Sequence, residues 1–398
     1  MSEKFFSAVN ELLRCFNMED IKKIYGAQPY FASDIENILQ DIKDILITGQ
    51  LTQGKHLSNF ENEMSKYVGT RYAVAVSSGG VALELALQAL NIEDKEVIVP
   101  TQTFIASAFS VVRAGGKPIL VDVNHDTLFI DPDEVKKKLS KKTVGIMPVH
   151  MFGLSPPKLV NEILNISKTN NLFVIEDAAH AHGASVNGKK AGNLGDVGCF
   201  SFYATKVITT GEGGVVTTNR KDIFEKILEL RNHGRSLRNQ LFDCPGNNFR
   251  LPEIPAVLGK YQVLLLDKIV THRNLIANIY KEELDDAIGV ELLKTDFPES
   301  SNAYWRFPLY LDKKIDRMEL QKRMWSGCGV RITWMYEPLC HLQPFFVKKF
   351  KHNFGDFPVA EDAIKKLINL PTHCGISKLD AHRITGCLKK NVKCLFEI

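Results

Sequence analysis

The chain has 398 residues, 44% hydrophobic and 24% charged, a balance that suits a globular protein with a sizeable core and room for two domains. Its net charge of +4 is mild and dispersed, which argues against a nucleic-acid partner, and the densest basic run, Lys136–Lys142, reads as the solvated end of a helix and the turn after it. The eight cysteines show no CxxC or zinc-type spacing, no apolar run is long enough to span a membrane, and the N-terminus lacks a secretory pattern, so the expectation is a cytoplasmic chain with reduced thiols and no membrane partner.

Residues Met1–Phe31 suggest one or two short helices, with Phe5, Phe6, Val9, Leu12 and Leu13 on one face. Ser33–Leu46 carries Ile35, Ile38, Leu39, Ile42 and Ile45 at helical spacing behind a Ser-Asp cap, and a second helix is predicted over Leu57–Val68. From Arg71 the pattern changes to short apolar strands alternating with helices. Strands are predicted at Tyr72–Val76, Glu96–Val99, Pro118–Val123, Thr143–Val149, Leu172–Glu176, Val197–Phe202 and Gly214–Thr218. Helices are predicted at Val81–Leu90, Ile105–Arg113, Pro132–Leu139 and Pro157–Thr169. This alternation predicts an α/β protein with a mainly parallel central sheet covered by helices on both faces. A long helical region (Ile223–Asn232, then Pro252–Ala287) is interrupted by the loop Gly234–Arg250. The remainder reads as a smaller C-terminal α+β domain, with strands at Arg306–Leu311 and Val330–Ile332 and helices at Asp316–Ser326, Ala360–Leu367 and Lys378–Lys390. The expected division is residues 1–50 as a helical extension, 51–270 as the large domain and 271–398 as the small one.

Ligands of such sheets lie beyond the carboxyl ends of the strands, so chemistry is sought in the loops that follow them. Three stand out. Ser77-Ser78-Gly79-Gly80 links a strand to a helix; its hydroxyls and free N–H groups suit a phosphate, though a tight turn with a serine cap has the same appearance. The run LFVIEDAAHAHGA delivers Glu176 and Asp177 to a strand end, followed by His180 and His182. A carboxylate there can sit under a pyridinium nitrogen; capping of the next segment and metal ligation are the competing readings. The third is GCFSFYATKVITTGEGG, in which Ser201 and Lys206 follow a buried strand. Burial lowers an amine's pKa and prepares it to condense with an aldehyde, whereas a lysine in such a place is otherwise simply solvated. A phosphate cradle, a carboxylate and a lysine, each after a sheet strand, together fit pyridoxal 5′-phosphate and no resident metal.

Between about Gly54 and Pro371 the chain resembles the DegT/DnrJ/StrS family of sugar aminotransferases. The matching stretches include FENEMSKYVGTRYAVAVSSG, IMPVHMFG, VIEDAAHAHGA, CFSFYATKVITTGEGGVVTTN, LRNHG, NNFRLPEIPAVLG and YEPLCHLQPFF. The resemblance implies a fold-type I pyridoxal-phosphate transferase. It implies that Lys206 condenses with the cofactor and shuttles protons, that Asp177 pairs with the ring nitrogen, and that Ser78, Gly79, Gly80 and Ser201 hold the phosphate. Phe104 is expected to stack on the ring, His180 to hydrogen-bond its phenolic oxygen, and Asn248 to reach the phosphate of a partner subunit in a homodimer with shared sites. Gly80 departs from the family's usual Thr and His180 from a frequent Gln. The implied reaction moves an amino group from an amino acid, L-glutamate by resemblance, to a keto group of a nucleotide-linked sugar. Arg331, Tyr336 and His341 are candidate substrate residues, with Arg235 and Arg238 as further cations near the mouth; surface exposure or core packing are the plain alternatives. Sugar dehydration, amino transfer to a cyclitol ketone, and a catalytically silent regulatory homologue are the rival functions.

Overall fold

A computed structural model describes residues 22–31 and 34–397. The helical face expected around Phe5–Leu13, and Ser33 of the expected cap, lie outside the described residues.

The centre is a seven-stranded sheet. In chain order its strands are β1 (Tyr72–Val76), β2 (Glu96–Pro100), β3 (Lys117–Val121), β4 (Thr143–Ile146), β5 (Phe173–Asp177), β8 (Val197–Ser201) and β9 (Gly214–Thr218); the short β6 (Ser185–Val186) and β7 (Lys189–Lys190) pair elsewhere. Their spatial order is β1-β9-β8-β5-β4-β2-β3, and β9 alone runs against the others. Six strands therefore end on one edge, where Ser77, Thr101, Met147, Asp177 and Ser201 gather. Because side chains alternate along a strand, Val97 and Val99 enter one apolar layer and Ile98 the other, so both faces are dry and the strands read as unbroken apolar runs. The helices Ile105–Arg113 and Pro157–Thr169 have the bounds predicted for them. Strand β4 stops at Ile146, short of the predicted Val149, where Pro148 interrupts the run with a residue that has no N–H to donate.

The helical region after the loop at 234–250 is two helices, Glu253–Leu264 and Leu266–Leu284, and the second runs through the expected boundary at residue 270. Beyond it, β10 (Val290–Leu292), β12 (Phe307–Leu311) and β13 (Leu367–Leu370) form an antiparallel sheet, while β11 (Ser300–Ser301) pairs with β6 of the large unit. Helices Arg317–Cys328 and Lys378–Phe396 pack here, and a Cys328–Cys387 disulfide joins them. The expectation of fully reduced thiols is corrected at this pair, which lies 59 residues apart and was invisible to spacing rules. The predicted strand Val330–Ile332 is an extended segment pinned instead by the N-terminal residues: Ile24 N–H donates to Gly329 O (2.7 Å) and Arg331 N–H to Ile24 O (2.9 Å). No described helix is long and apolar enough to cross a membrane.

Candidate active site

Strand β5 places two adjacent carboxylates on opposite sides, and their partners separate their roles. Glu176 accepts from His150 Nε2 (3.0 Å) and from the backbone N–H groups of Gly192, Leu194 and Gly195 (2.7–2.8 Å), so its charge is consumed in holding the loop ahead of β8. Asp177 accepts from the Ser107 hydroxyl (2.7 Å) and from Ala179 N–H (3.1 Å); Ser107 is in turn paired with the Thr103 hydroxyl (2.7 Å). This orients Asp177 from the helix that begins at Ile105 and leaves acceptor capacity on the carboxylate.

Lys206 lies in the loop between β8 and β9, which is fastened by Thr209, whose hydroxyl donates to Phe202 O (2.8 Å) and accepts from Gly211 N–H (2.9 Å). Part of the Lys206 surface is open, but protein crowds it. Desolvation, reinforced by the nearby Arg306 charge and opposed by Asp177, lowers its pKa to about 8. Its Nζ sits 4.6 Å from the centroid of the Trp305 indole. Trp305 is held there because its backbone N–H donates to Phe152 O (2.8 Å) and its indole N–H to Thr205 O (2.5 Å). His180 stacks on the same indole at 3.8 Å, and its Nε2 is 3.2 Å from the Tyr336 hydroxyl. Burial, together with the charges of Lys206 and Arg306, keeps the His180 ring neutral by pushing its pKa well below the usual value, and its Nδ1 has no partner among the described residues. Phe104 lies 5.2 Å from Tyr336 with its ring exposed.

The third element is the helix Gly79–Ala89. Ser78 caps it, accepting from Val81 N–H (3.2 Å), and the first helical N–H groups have no intrahelical acceptor. A Cβ at Gly79 would lie 2.6 Å from Ser201 Cβ, so only glycine lets the end of β8 bring its serine hydroxyl against this helix start. A Cβ at Gly80 would meet only Ala106 (3.7 Å) and Ser78 Oγ (3.9 Å), ordinary contacts. The chemistry of the donors fits a phosphate at this corner, and the orphaned His180 Nδ1 and the lowered lysine suit an aromatic aldehyde beside it. Among the described residues no group of three or more His, Cys, Asp and Glu side chains is arranged for a metal ion.

Three sequence candidates are placed elsewhere. Alternation along the extended segment buries Val330 and Ile332 and turns Arg331 outward, into a surface groove with Gln321 and Trp325. His341 is fully buried, with Nδ1 on Thr101 Oγ1 (2.7 Å) and Nε2 on Glu361 (3.0 Å), so both ring nitrogens are already hydrogen-bonded within the chain. Asn248 is exposed on its loop and makes no hydrogen bond to Ser78 or Ser201 within its own chain. Sequence reading missed Ser107, Trp305 and Arg306. Trp305 and Arg306 stand immediately ahead of β12, and a tryptophan beside an arginine at the start of a strand was the available signal.

A mostly parallel sheet carrying a lysine, a carboxylate and an anion cradle at its carboxyl edge defines a pyridoxal-phosphate enzyme of fold-type I. The model of the DegT/DnrJ/EryC1/StrS aminotransferase family matches residues 32–389, and the chain belongs to that family; it is a sugar aminotransferase. It is 34% identical to the GDP-perosamine synthase of Escherichia coli O157:H7 over 82% of this chain and 87% of that one. It is 31% identical to the UDP-4-amino-4,6-dideoxy-N-acetyl-beta-L-altrosamine transaminase of Campylobacter jejuni (strain 81-176), over 92% and 96%. Its fold matches crystalline DesV from S. venezuelae in complex with a ketimine intermediate, with a TM-score of 0.85, 29% identity and coverage of 90% and 95%.

Proposed function

We propose that this protein transfers an amino group from an amino acid, L-glutamate, to a keto group of a nucleotide-diphosphate sugar, as a homodimer. The observation that carries the reading is Lys206: an amine lowered to about 8 by burial, close enough to feel the charge of the Asp177 carboxylate that Ser107 fixes, on the loop that follows Ser201. Pyridoxal phosphate, when bound, supplies an aldehyde that condenses with amines and a ring that draws electrons from the attached carbon. Ser78, Ser201 and the N–H groups of Gly79 and Gly80 would hold its phosphate, and Asp177 would keep its ring nitrogen protonated. His180 would face its phenolic oxygen and Phe104 its ring.

Within that arrangement Lys206 Nζ carries the proton to and from the carbon that bears the transferred nitrogen. A pKa near 8 suits both directions, since the amine takes a proton and gives it back near neutral pH. Trp305 limits where Nζ can swing, and Tyr336 with Phe104 lines the opening. The relatives named for GDP- and UDP-linked sugars support a nucleotide sugar as acceptor. The dimer reading is supported by the exposed Leu237, Leu241 and Phe242 on the loop that carries Asn248, a surface suited to a second subunit whose phosphate Asn248 would reach.

The test is borohydride reduction of the holoenzyme followed by peptide mass analysis, with keto sugars linked to UDP, GDP and dTDP offered alongside L-glutamate. The expected result is a pyridoxyl adduct on Lys206 and amination of one nucleotide class. An adduct on another lysine, or Lys206→Ala retaining substantial turnover, would refute the assignment.

A further inference from the structure

Arg306 is 4% exposed, and its guanidinium lies 4.7 Å from the centroid of the indole that Lys206 Nζ approaches to 4.6 Å. Its Nη1 donates to Trp305 O (3.0 Å), while its Nε is buried without a partner. Gly26 packs against it; a Cβ there would be 3.5 Å from Nη2 and 3.9 Å from Nε and Cζ, ordinary contacts. Behind it stands Arg273, 3% exposed, whose Nη1 is spent on Tyr304 O, Trp305 O and the Thr372 hydroxyl (3.0–3.3 Å) and whose Nε is likewise unpartnered. Among the described residues neither guanidinium has a carboxylate within ion-pairing distance. Burial above all lowers both, Arg306 to about 9 with the help of Arg273, and Arg273 to about 10. Two buried cations without a counter-ion are costly unless an anion arrives to pair with them.

We propose that Arg306, whose buried Nε has no partner, receives a carboxylate of the amino donor, and that this selects an amino acid as donor; the proposal rests on the amino-transfer reading above. A planar guanidinium edge offers two parallel donors matched to the two oxygens of a carboxylate. Reach favours the donor over the acceptor. Sharing one indole holds Arg306 within about 9 Å of the Lys206 nitrogen. An α-carboxylate hangs on the very carbon whose nitrogen is transferred, whereas a nucleotide sugar's diphosphate lies beyond its hexose ring. Arg273 holds the backbone carbonyls of Tyr304 and Trp305 through Nη1 and adds positive potential behind Arg306.

The experiment titrates the holoenzyme with glutarate, an unreactive dicarboxylate, by calorimetry, and with UDP and GDP in parallel. Wild type, Arg306→Met and Arg306→Lys are compared after checking their melting temperature and cofactor absorbance. The expected result is a 10–100-fold weaker affinity for glutarate in Arg306→Met, partial retention in Arg306→Lys, and unchanged nucleotide affinity. Equal glutarate affinity in wild type and variants, no glutarate binding by wild type, or a loss confined to the nucleotides would overturn the proposal. Should Arg306→Met not fold, Arg306→Lys and displacement of glutarate by L-glutamate from the wild type decide the matter. The function reading fails separately: a wild type that binds glutarate through Arg306 yet shows no absorbance change with L-glutamate has the carboxylate site without the proposed transfer.

Discussion

Replacing Asp177 with Asn is expected to make Lys206 more reactive in the cofactor-free enzyme while leaving turnover crippled. Asp177 is the group that raises the Lys206 pKa against desolvation, so removing its charge lowers the value below about 8. At pH 7 an amine of pKa 8 is about one-tenth unprotonated, against roughly one part in 3,000 for an ordinary lysine, an advantage of about 300-fold. The variant can gain at most about a further tenfold at pH 7, because the free fraction cannot exceed one. The measurement is competitive acetylation of the cofactor-free enzyme by acetic anhydride from pH 6 to 11, read on the Lys206 peptide by mass spectrometry with exposed lysines as internal standards. Labelling should rise with pH, bend near 8 in the wild type and bend lower in Asp177→Asn. A wild-type bend at 10 or above, or an upward move in the variant, would show that burial does not tune this amine. With cofactor restored, Asp177→Asn should still bind it and barely react, because the ring nitrogen is no longer kept charged.

Ser107→Ala removes the 2.7 Å hydroxyl bond that orients Asp177, and a loss of about tenfold in single-turnover rate with cofactor retained is the expected outcome. Gly79→Ala should weaken cofactor affinity at least tenfold, since its Cβ would have to displace Ser201 from 2.6 Å, whereas Gly80→Thr has room and should tighten binding by up to about tenfold through an added hydroxyl; equilibrium dialysis of the two variants checks the contrast. His341→Ala leaves the Thr101 hydroxyl buried without its partner, at about 1–3 kcal/mol, while Glu361 keeps the N–H groups of Gly355 and Phe357, so thermal melting should fall by several degrees while the KM values of the surviving enzyme stay near wild type.

The central sheet and the three loops after β1, β5 and β8 were legible because each rests on a local pattern. A parallel strand buried on both faces is a continuous apolar run, and the helix after it starts with small or capping residues whose spacing survives in the sequence. What was not legible depends on contacts between distant segments. Arg331 and His341 looked alike as polar residues in the small domain. The side to which Arg331 points follows from the pairing of Ile24 with Val330, and the fate of His341 from Glu361, twenty positions further on. Glu176 and Asp177 were indistinguishable by position, and only the N–H groups of Gly192, Leu194 and Gly195 reveal that the first is structural.

Trp305 sharpens the point. Its place beside Lys206, ninety-nine residues earlier, follows from Gly153, whose φ of +84° and lack of a Cβ let the 303–305 segment pair with the Phe152–Gly153 turn. The electrostatics of the lysine are therefore set jointly, by Asp177 from the large sheet and by Arg306 from the segment leading into the small one. A movement of the small unit that withdrew Trp305 and Arg306 would take away the charge that depresses Lys206 and rehydrate its amine, both of which raise its pKa.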